Sequence, residues 1–431
     1  MLNLTVPERV NYMKDEVFRQ LKEIRKGVVD LISEDELLSK IEYSLKRKTP
    51  MRIKLGIDPT APDIHLGHSV ILNKLRQFQD LGHVAVLIIG DYTARIGDPS
   101  GRSEIRPQLS IEKIDQNART YVEQVFKILD RSRTEVRFNG EWLSVLKLED
   151  IIKLTSMFTI ARLLERDDFH KRFIENAPIS LMEMLYPIMQ GYDSVAVRSD
   201  IELGGTEQKF NLLIGRDLQK EFGQPPQLVI TMPILVGLDG VNRMSKSLGN
   251  YVGINENPND IFGKIMSIPD SVMRAYFELV SSFSADEISS MFNEIEKNNA
   301  NPSHFKRVLA KDIVERFQSM DAAINSEKEF DRIFKEKKFP SVIEVHAIKI
   351  SEFKGGIIAS PILLKETGLA SSTSEARRLI TAGSASMSDM NIPSSSPVLI
   401  TDPNVEFNLI DLDGKVLRVG KRRFKKIKIV D

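Results

Sequence analysis

Met51-Arg-Ile-Lys-Leu-Gly-Ile-Asp-Pro-Thr60 and Val84-Ala-Val-Leu-Ile-Ile89 decide how this chain folds. The first reads as a strand through Ile57, stopped by the turn-rich run Asp58-Pro-Thr-Ala-Pro-Asp63. The second is a continuous apolar run, the pattern of a strand covered on both faces of a parallel sheet. Between them Ile71, Leu75 and Phe78 recur at i, i+4 and i+7, which predicts a helix over residues 65–81 with Gly82 just past its end. Strand, helix and strand in succession make a βαβ unit.

Residues 110–195 are largely helical in pattern, and Gln227-Leu-Val-Ile-Thr-Met-Pro-Ile-Leu-Val236 reads as another buried strand. Residues 1–240 are therefore expected to form an α/β domain, a doubly wound parallel sheet with N-terminal helices and a helical insertion. Residues 20–48 read as helix, with Ser33 and Glu36 as a capping box ahead of Leu37, Leu38 and Ile41. Helical periodicity dominates residues 255–350, where Ser284 and Glu287 form a second box and Pro302 opens a helix through Phe317. A separate α-helical domain is expected over residues 241–350, and residues 339–361 read as linker. Residues 361–431 read as a small α+β domain. Ser372-Thr-Ser-Glu375 caps a short helix with Ala376, Leu379 and Ile380 on one face, Asp413-Gly414 is a type I′ hairpin signal, and Lys426-Ile-Lys-Ile429 alternates.

The chain has 431 residues, 60 Lys and Arg against 60 Asp and Glu, and no cysteine. Without cysteine it has no disulfide framework, thiolate zinc site, iron–sulfur cluster or catalytic thiol. The longest apolar stretch, residues 84–90, falls far short of the roughly 20 residues a membrane helix needs, and no signal-peptide pattern opens the chain. A cytoplasmic protein without a membrane partner is expected. Zero net charge conceals an uneven distribution. Residues 361–431 carry 11 Lys and Arg against 8 Asp and Glu, and residues 414–430 hold eight basic side chains and no acidic one.

Four segments can carry chemistry. His65-Leu-Gly-His68 places two of six histidines at the first turn of a helix that follows a strand. Donors there, beside the positive end of the helix dipole, suit phosphate, while Gly67 lets a flat base approach the backbone. Gly237-Leu-Asp-Gly240 and Arg243-Met-Ser-Lys-Ser247 put two cations on a Gly-flanked loop after a buried strand, where they can close over a polyphosphate. Gly97-Asp-Pro-Ser-Gly-Arg102, extended to Arg106, follows the second strand, and ligands bind at the carboxyl ends of strands in such sheets. There Asp98 can take an ammonium, and Arg102 and Arg106 phosphate. Tyr186, Gln190 and Asp193 share one helix face at i, i+4 and i+7, fitting either recognition of a small polar ligand or a buried hydrogen-bonded network.

In this order the four segments resemble the class I aminoacyl-tRNA synthetases, in particular the bacterial tyrosyl-tRNA synthetases. His65-Leu-Gly-His68 is similar to the family's HIGH motif, with Leu66 for Ile, and Arg243-Met-Ser-Lys-Ser247 to its KMSKS motif, with Arg243 for Lys. Gly56-Ile-Asp-Pro-Thr60, Gly97-Asp-Pro-Ser-Gly101 and Asn139-Gly-Glu-Trp142 also fit the family pattern, and Ser-Glu-Ala-Arg-Arg378 with its hairpin looks like an S4 RNA-binding module. The resemblance implies a Rossmann-like catalytic domain with a helical insertion, then an α-helical anticodon domain and the α+β S4-like domain. It implies activation of L-tyrosine with ATP, brought as its Mg²⁺ complex, followed by transfer to the 3′ end of tRNA(Tyr). No protein-held metal or organic cofactor is expected.

By the same resemblance, Thr60, His65 and His68 contact the phosphates and nucleotide, and Arg102, Arg106, Arg243 and Lys246 clamp pyrophosphate. Gly56, Asp58, Gly67, Gly205, Met244, Ser245 and Ser247 lie along ATP. Asp98, Tyr186, Gln190, Asp193, Glu207, Gln208 and Lys54 surround tyrosine, with Asp193 accepting the phenolic OH. Many members have Tyr where Lys54 stands, so a phenol-pocket donor of a different kind is implied. Arg377, Arg378, Lys421, Arg422, Arg423, Lys425 and Lys426 would meet RNA. A homodimer is implied through residues 160–187. A tryptophanyl-tRNA synthetase and a non-catalytic S4-type RNA-binding protein stay as alternatives, although Asp193 argues against the first and the four crevice segments against the second.

Overall fold

The strand read at residues 51–57 is β2 of a six-stranded sheet. In chain order its strands are β1 (Asp30–Ile32), β2 (Arg52–Ile57), β3 (Val84–Ile89), β4 (Thr134–Phe138), β5 (Ile201–Gly205) and β6 (Leu228–Met232). A computed structural model of the chain describes residues 6–60, 62–100, 110–298, 300–336, 338–389, 397–420 and 423–431. These form two compact units, Met1–Glu327 and Lys328–Asp431.

The spatial order is β1-β6-β5-β2-β3-β4, all parallel except the antiparallel edge strand β1. The chain steps from β2 to β3 to β4 on one side, then returns to lay β5 and β6 on the other. The direction of winding therefore reverses between β2 and β5, and a ligand crevice opens beyond the carboxyl ends of strands at such a point. Residues 85–89 of β3 and all of β5 and β6 are buried, as the continuous apolar runs require.

The helix expected over residues 20–48 is two helices, Val6–Arg25 and Glu34–Arg47, with β1 between them. Gly27 at φ +68° breaks the run, and Val29 N–H then donates to Thr231 O at 2.9 Å to start the edge pairing. The strand is only three residues long, too short to interrupt a 3.6-residue periodicity. Ser33 does cap the second helix. β4 lies inside the stretch read as helical. It is an edge strand whose polar and apolar residues alternate, and it adds to β3 in parallel. The strand read over residues 227–236 ends at Met232, followed by Pro233.

Lys54 and Glu202 form an ion pair in this core. Their side chains, 0% and 1% exposed, meet at 2.8 Å across the β2–β5 seam. The ammonium also donates to Ser194 Oγ at 2.8 Å and to the Gln190 carbonyl at 3.0 Å, so its three N–H groups are satisfied.

Within the first unit the expected helical block is present as Pro258–Met266, Asp270–Val280, Ala285–Asn298 and Pro302–Phe317; the next helix, Met320–Phe334, begins in the first unit and ends in the second. Ser284 and Glu287 exchange the two hydrogen bonds of a capping box, and Asn301 caps the helix that Pro302 opens.

The second unit contains β7 (Val345–Lys349), β8 (Ile357–Ala359), β9 (Ala385–Asp389), β10 (Val398–Ile400), β11 (Glu406–Asn408), β12 (Lys415–Val419) and β13 (Arg423–Val430). Five of these form a sheet in the order β10-β9-β12-β13-β7, while β11 pairs with β8. Residues 339–361 are thus not a free linker, because β7 hydrogen-bonds in parallel to β13 and β8 to β11. Asp413-Gly414 is not a type I′ hairpin either. Asp413 (φ −60°, ψ 131°) followed by Gly414 (φ +75°) has the angles of a type II turn, whereas type I′ needs positive φ at both. The core of this unit is built from Ile348, Leu363, Leu364, Ala376, Ile380, Leu417 and Ile427. Among the described residues no helix is long and apolar enough to cross a membrane.

Lys54→Met alone leaves the Glu202 carboxylate buried without its counter-ion and is expected to lower stability by about 3–5 kcal/mol. Adding Glu202→Gln should recover most of that loss. Urea unfolding of both variants measures it, and equal losses would show that the pair is not coupled.

Candidate functional site

The helix Leu66–Asp80 begins on the histidine tetrad, and the tetrad builds its own cap. His65 is the N-cap residue, and its Nδ1 accepts the Gly67 N–H at 3.1 Å. His68 Nδ1 accepts the His65 N–H at 3.2 Å, giving a reciprocal capping box made of two imidazoles. The rings lie 3.9 Å apart between centroids. Burial, the neighbouring imidazole and the Lys246 ammonium push His65 down to about 2, while burial and Lys246 push His68 down to about 4. Both rings are therefore neutral near pH 7. With Nδ1 used as acceptor, the remaining proton sits on Nε2, so each ring keeps one N–H donor at the positive end of the helix.

Beside His68 opens a cavity of about 230 Å³, between the carboxyl ends of β2 and β5. Its wall runs from Gly56, Asp58 and Thr60 at the end of β2 to Gly205, Glu207 and Gln208 at the end of β5. Gly90, at the end of β3, has no room for a side chain: an added Cβ would stand 2.0 Å from Asp58 Oδ1. Deeper in the crevice, the helix Leu181–Val197 contributes Tyr186, Gln190 and Asp193, its N-terminus fixed by a Ser180–Glu183 capping box. Tyr186 OH donates to Asp58 Oδ2 at 2.9 Å, and Thr93 Oγ1 donates to Asp58 Oδ1 at 2.8 Å.

Asp193 is buried, and its carboxylate accepts from Trp142 Nε1 at 2.8 Å and Asn139 Nδ2 at 3.3 Å. Burial raises it to about 7 against the opposing pull of the Lys54 charge and these two donors. A buried carboxyl group on a crevice wall can accept a ligand hydroxyl, and its raised value marks it as a candidate site residue.

Asp98 joins a second polar cluster. Its Oδ1 accepts from Ser100 N at 2.9 Å and Ser100 Oγ at 2.6 Å, and its Oδ2 accepts from Gln208 Nε2 at 2.7 Å. Glu207 is raised above the usual carboxylate range, chiefly by burial. Lys54, expected among these residues, is not one of them: the crevice wall there is Leu55, Gly56 and Ile57, and the ammonium is committed to Glu202, Ser194 and the Gln190 carbonyl.

Residues 237–250 form a loop knitted internally. The Asn250 side chain donates to Asp239 Oδ2 at 2.9 Å and to Arg243 O at 3.1 Å, and accepts from Ser245 N at 2.8 Å. The Ser245 and Ser247 hydroxyls are 2.9 Å apart. Lys246 reaches from this loop to Asp63, donating to its carbonyl, with the carboxylate 3.6 Å away. Met244 packs beside Gly67, and a backbone ladder joins the segments: Leu66 N–H to Val252 O at 2.9 Å and Ile254 N–H to Ile64 O at 3.0 Å. The loop thus lies against the histidine tetrad. Arg102 and Arg106 lie outside the described residues.

In the second unit, Arg377 and Arg378 are exposed on the helix Thr373–Thr381, and Arg423 is exposed on β13. Lys425 is committed to an ion pair with Glu344, with its side chain 17% exposed, so it is less available than its sequence suggests. Lys426 is half-buried, and Lys421 and Arg422 lie outside the described residues.

Sequence patterns did not single out Thr93, Arg166 and Asn211, all of which hold the crevice residues in place. Arg166 sits in the charged run Glu165-Arg-Asp-Asp168, which looks like a solvated surface. Asn139 and Trp142 were visible only as part of a family-like segment.

A sequence model of the family described as tRNA synthetases class I (W and Y) matches residues 46–335. The tyrosine–tRNA ligase of Carboxydothermus hydrogenoformans is 51% identical over 413 residues, covering 96% of this chain and 98% of that protein. That of Thermotoga maritima is 49% identical over 409 residues, covering 95% and 97%. Among solved structures, a tyrosyl-tRNA synthetase from Archaeoglobus fulgidus complexed with L-tyrosine aligns with a TM-score of 0.59 at 21% identity, covering 72% of this chain and 99% of that one. A C-terminally truncated mitochondrial tyrosyl-tRNA synthetase from Aspergillus nidulans aligns with a TM-score of 0.60 at 19% identity, covering 75% and 99%. At these identities the two structures establish the fold.

His68 is neutral in the fold and charges in the unfolded chain below about pH 6.5. A depressed histidine contributes stability that is present above 6.5 and lost as pH falls toward the folded value of about 4. Asp193, raised to about 7, works in the opposite direction over that range. His68→Gln keeps an acceptor at the third helical position without a titrating ring. It is expected to lose about 1–2 kcal/mol less than the native chain between pH 7 and pH 5. Denaturant unfolding at the two values checks this, and an unchanged loss would mean that His68 is not held neutral in the fold.

Proposed function

The chain belongs to the class I tRNA synthetases of the W and Y family, and we propose that it activates L-tyrosine with ATP and transfers it to the 3′ end of tRNA(Tyr). The observation that carries this reading is the crevice between β2 and β5, with neutral histidine donors at its mouth and the buried Asp193 carboxyl in its wall. Homology to the tyrosine–tRNA ligases over nearly the whole chain supports tyrosine rather than tryptophan as the amino acid.

In the activation step the tyrosine carboxylate attacks the α-phosphorus of ATP, forming tyrosyl-adenylate as the bond to pyrophosphate breaks. The amino acid supplies the nucleophile, so no enzyme base is needed. Catalysis comes from alignment and from charge stabilisation as the transferring phosphoryl group passes through its transition state. The Nε2–H groups of His65 and His68 donate to phosphate oxygens near the helix N-terminus, without a protonation step, since both rings are already neutral. Thr60, Gly56, Asp58, Gly67 and Gly205 line the nucleotide. Lys246 and Arg243, with Met244, Ser245 and Ser247 on the same loop, move over the β- and γ-phosphates and neutralise the leaving pyrophosphate, joined by Arg102 and Arg106. Lys246 exchanges Asp63 for phosphate in this motion.

ATP is the co-substrate and arrives with Mg²⁺. The phosphates and water would supply most ligands of that ion, as is usual for nucleotide-bound Mg²⁺.

Tyrosine binds with its ammonium at Asp98, Tyr186, Gln190 and Gln208, beside Glu207, and its phenolic OH donating to Asp193. Phenylalanine would forfeit that hydrogen bond, leaving the buried carboxyl with only Trp142 and Asn139 as partners. The hydroxyl at the tRNA 3′ end then attacks the acyl carbonyl, and AMP leaves. Arg377, Arg378, Arg423 and Lys426, with Lys421 and Arg422 from the same basic run, meet tRNA phosphates. A homodimer is also proposed. Its two-fold face would use the exposed apolar side chains Ile160, Phe173, Ile174 and Leu181, which are 60–78% exposed. A cytoplasmic site of action is proposed as well; among the described residues no helix is long and apolar enough to cross a membrane.

Pyrophosphate exchange into ATP is expected with tyrosine, and a stronger response to tryptophan would overturn the reading. Asp193→Ala should reduce the preference for tyrosine over phenylalanine by about ten- to a hundredfold, the worth of one hydrogen bond to a charged group; retained preference would remove Asp193 from the pocket. Lys246→Ala should slow tyrosyl-adenylate formation far more than it weakens tyrosine binding, and equal losses would exclude a transition-state role. In solution, affinity for tRNA should fall steeply between 50 and 200 mM salt. Light scattering should give about twice the 48.8 kDa chain mass, and a monomer would refute the dimer.

A further inference from the structure

Arg166 lies between the short helix Ile160–Leu163 and the helix Asp167–Ile174, and is 4% exposed. Its guanidinium sits 5.2 Å from the centroid of the Phe169 ring and is bonded on several sides. Nε pairs with Asp168 Oδ1 at 2.8 Å, one terminal nitrogen donates to Asn211 Oδ1 at 3.0 Å, and the other to Ser100 Oγ at 2.5 Å and Asp98 Oδ1 at 3.4 Å.

An arginine can only donate. The Asn211 amide must therefore turn its oxygen to Arg166 and its NH₂ the other way. That NH₂ donates to Gln190 Oε1 at 2.9 Å and Gln208 Oε1 at 3.0 Å. With its oxygen so engaged, Gln208 turns its own NH₂ to Asp98 Oδ2 at 2.7 Å and Ser100 Oγ at 2.9 Å. The polarity of the whole chain of amides is thus set from one end. Among the described residues Asp98 Oδ2 accepts from Gln208 alone, leaving acceptor capacity on a carboxylate that lines the crevice.

We propose that Arg166 is a positioning residue that fixes the hydrogen-bond polarity of Asn211, Gln190 and Gln208, so that the Gln208 NH₂ holds Asp98 with an acceptor lone pair left for the α-ammonium of the amino-acid substrate. This rests on the assignment of Asp98 to that ammonium in the proposed function. Arg166 touches no substrate; it acts through Asp98 directly and through Asn211. A glutamine in its place could present either end of its amide to Asn211, and the chain would lose its fixed sense.

The test compares binding of tyrosine and of 3-(4-hydroxyphenyl)propionate, which lacks the ammonium, by calorimetry on the full chain, with steady-state kinetics alongside. For Arg166→Gln the preference for tyrosine over the desamino compound should fall about tenfold, the desamino compound itself binding as before. KM for tyrosine should rise with it, while KM for ATP moves by less than about threefold. Equal weakening of both ligands, or an unchanged ratio, would overturn the inference. If Arg166→Gln does not fold, Arg166→Lys decides: it keeps the charge but lacks the fork, so a ratio at least about threefold below native is expected and a native ratio overturns the proposal. Asp98→Asn separates the two readings. Loss of preference there with none in the Arg166 variants overturns only the role of Arg166, and retained preference in Asp98→Asn overturns the ammonium assignment itself.

Discussion

Across the seam where the sheet reverses its winding, the Lys54 ammonium holds Glu202 at 2.8 Å. A buried ion pair rarely raises stability over an apolar alternative of the same shape, because two charges must first leave water. This one does a different job. Its third and fourth members, Ser194 and the Gln190 carbonyl, belong to the helix that carries Tyr186, Gln190 and Asp193 into the crevice. One ammonium therefore fixes the two strands flanking the crevice and the depth of the helix behind it. Its charge also opposes the burial that raises Asp193.

Desolvation does the remaining tuning, and in opposite senses at the two regions of the site. At the mouth it strips the histidines of their protons, so that they act as neutral donors beside a helix N-terminus; farther in it lifts a carboxyl group to about 7. Neither effect needs a metal ion or an unusual residue. Both follow from placing ordinary side chains where the sheet and one helix exclude water.

The parts of this arrangement that were readable in sequence are those with local signatures. β3 and β6 announce themselves by apolar runs, β2 by the turn-rich stretch that stops it, and the helices by caps such as Ser284–Glu287 and Ser372–Glu375. The histidine tetrad and the Arg243–Ser247 segment stand out because a backbone turn and a cluster of donors occur together. What stayed hidden depends on partners far away in the chain. β1 and β4 are short edge strands whose pairing residues, Thr231 and Ile89 among them, say nothing locally. Lys54 looked like a pocket donor because the acceptors that consume it stand about 140 residues downstream. Arg166 carries no local signal, because a charged tetrad gives no hint that Phe169 and Asn211 enclose its guanidinium. The Asp413-Gly414 pair differs for a related reason: the same two residues serve type I′ and type II turns, and here they follow the 3-10 turn Leu409–Leu412 instead of joining two paired strands.

The ladder between residues 64–66 and 252–254 ties the histidine cap to the far flank of the 237–250 loop. Cap and loop accordingly share one energetic unit, although nearly 180 residues separate them along the chain. Disturbing the cap shifts the platform on which the loop rests, and freeing the loop removes a support of the cap. Substitutions in the two segments should then combine non-additively, the second costing less once the first has been made. Two motifs that read as independent words in the sequence are, in the folded chain, parts of one hydrogen-bonded unit.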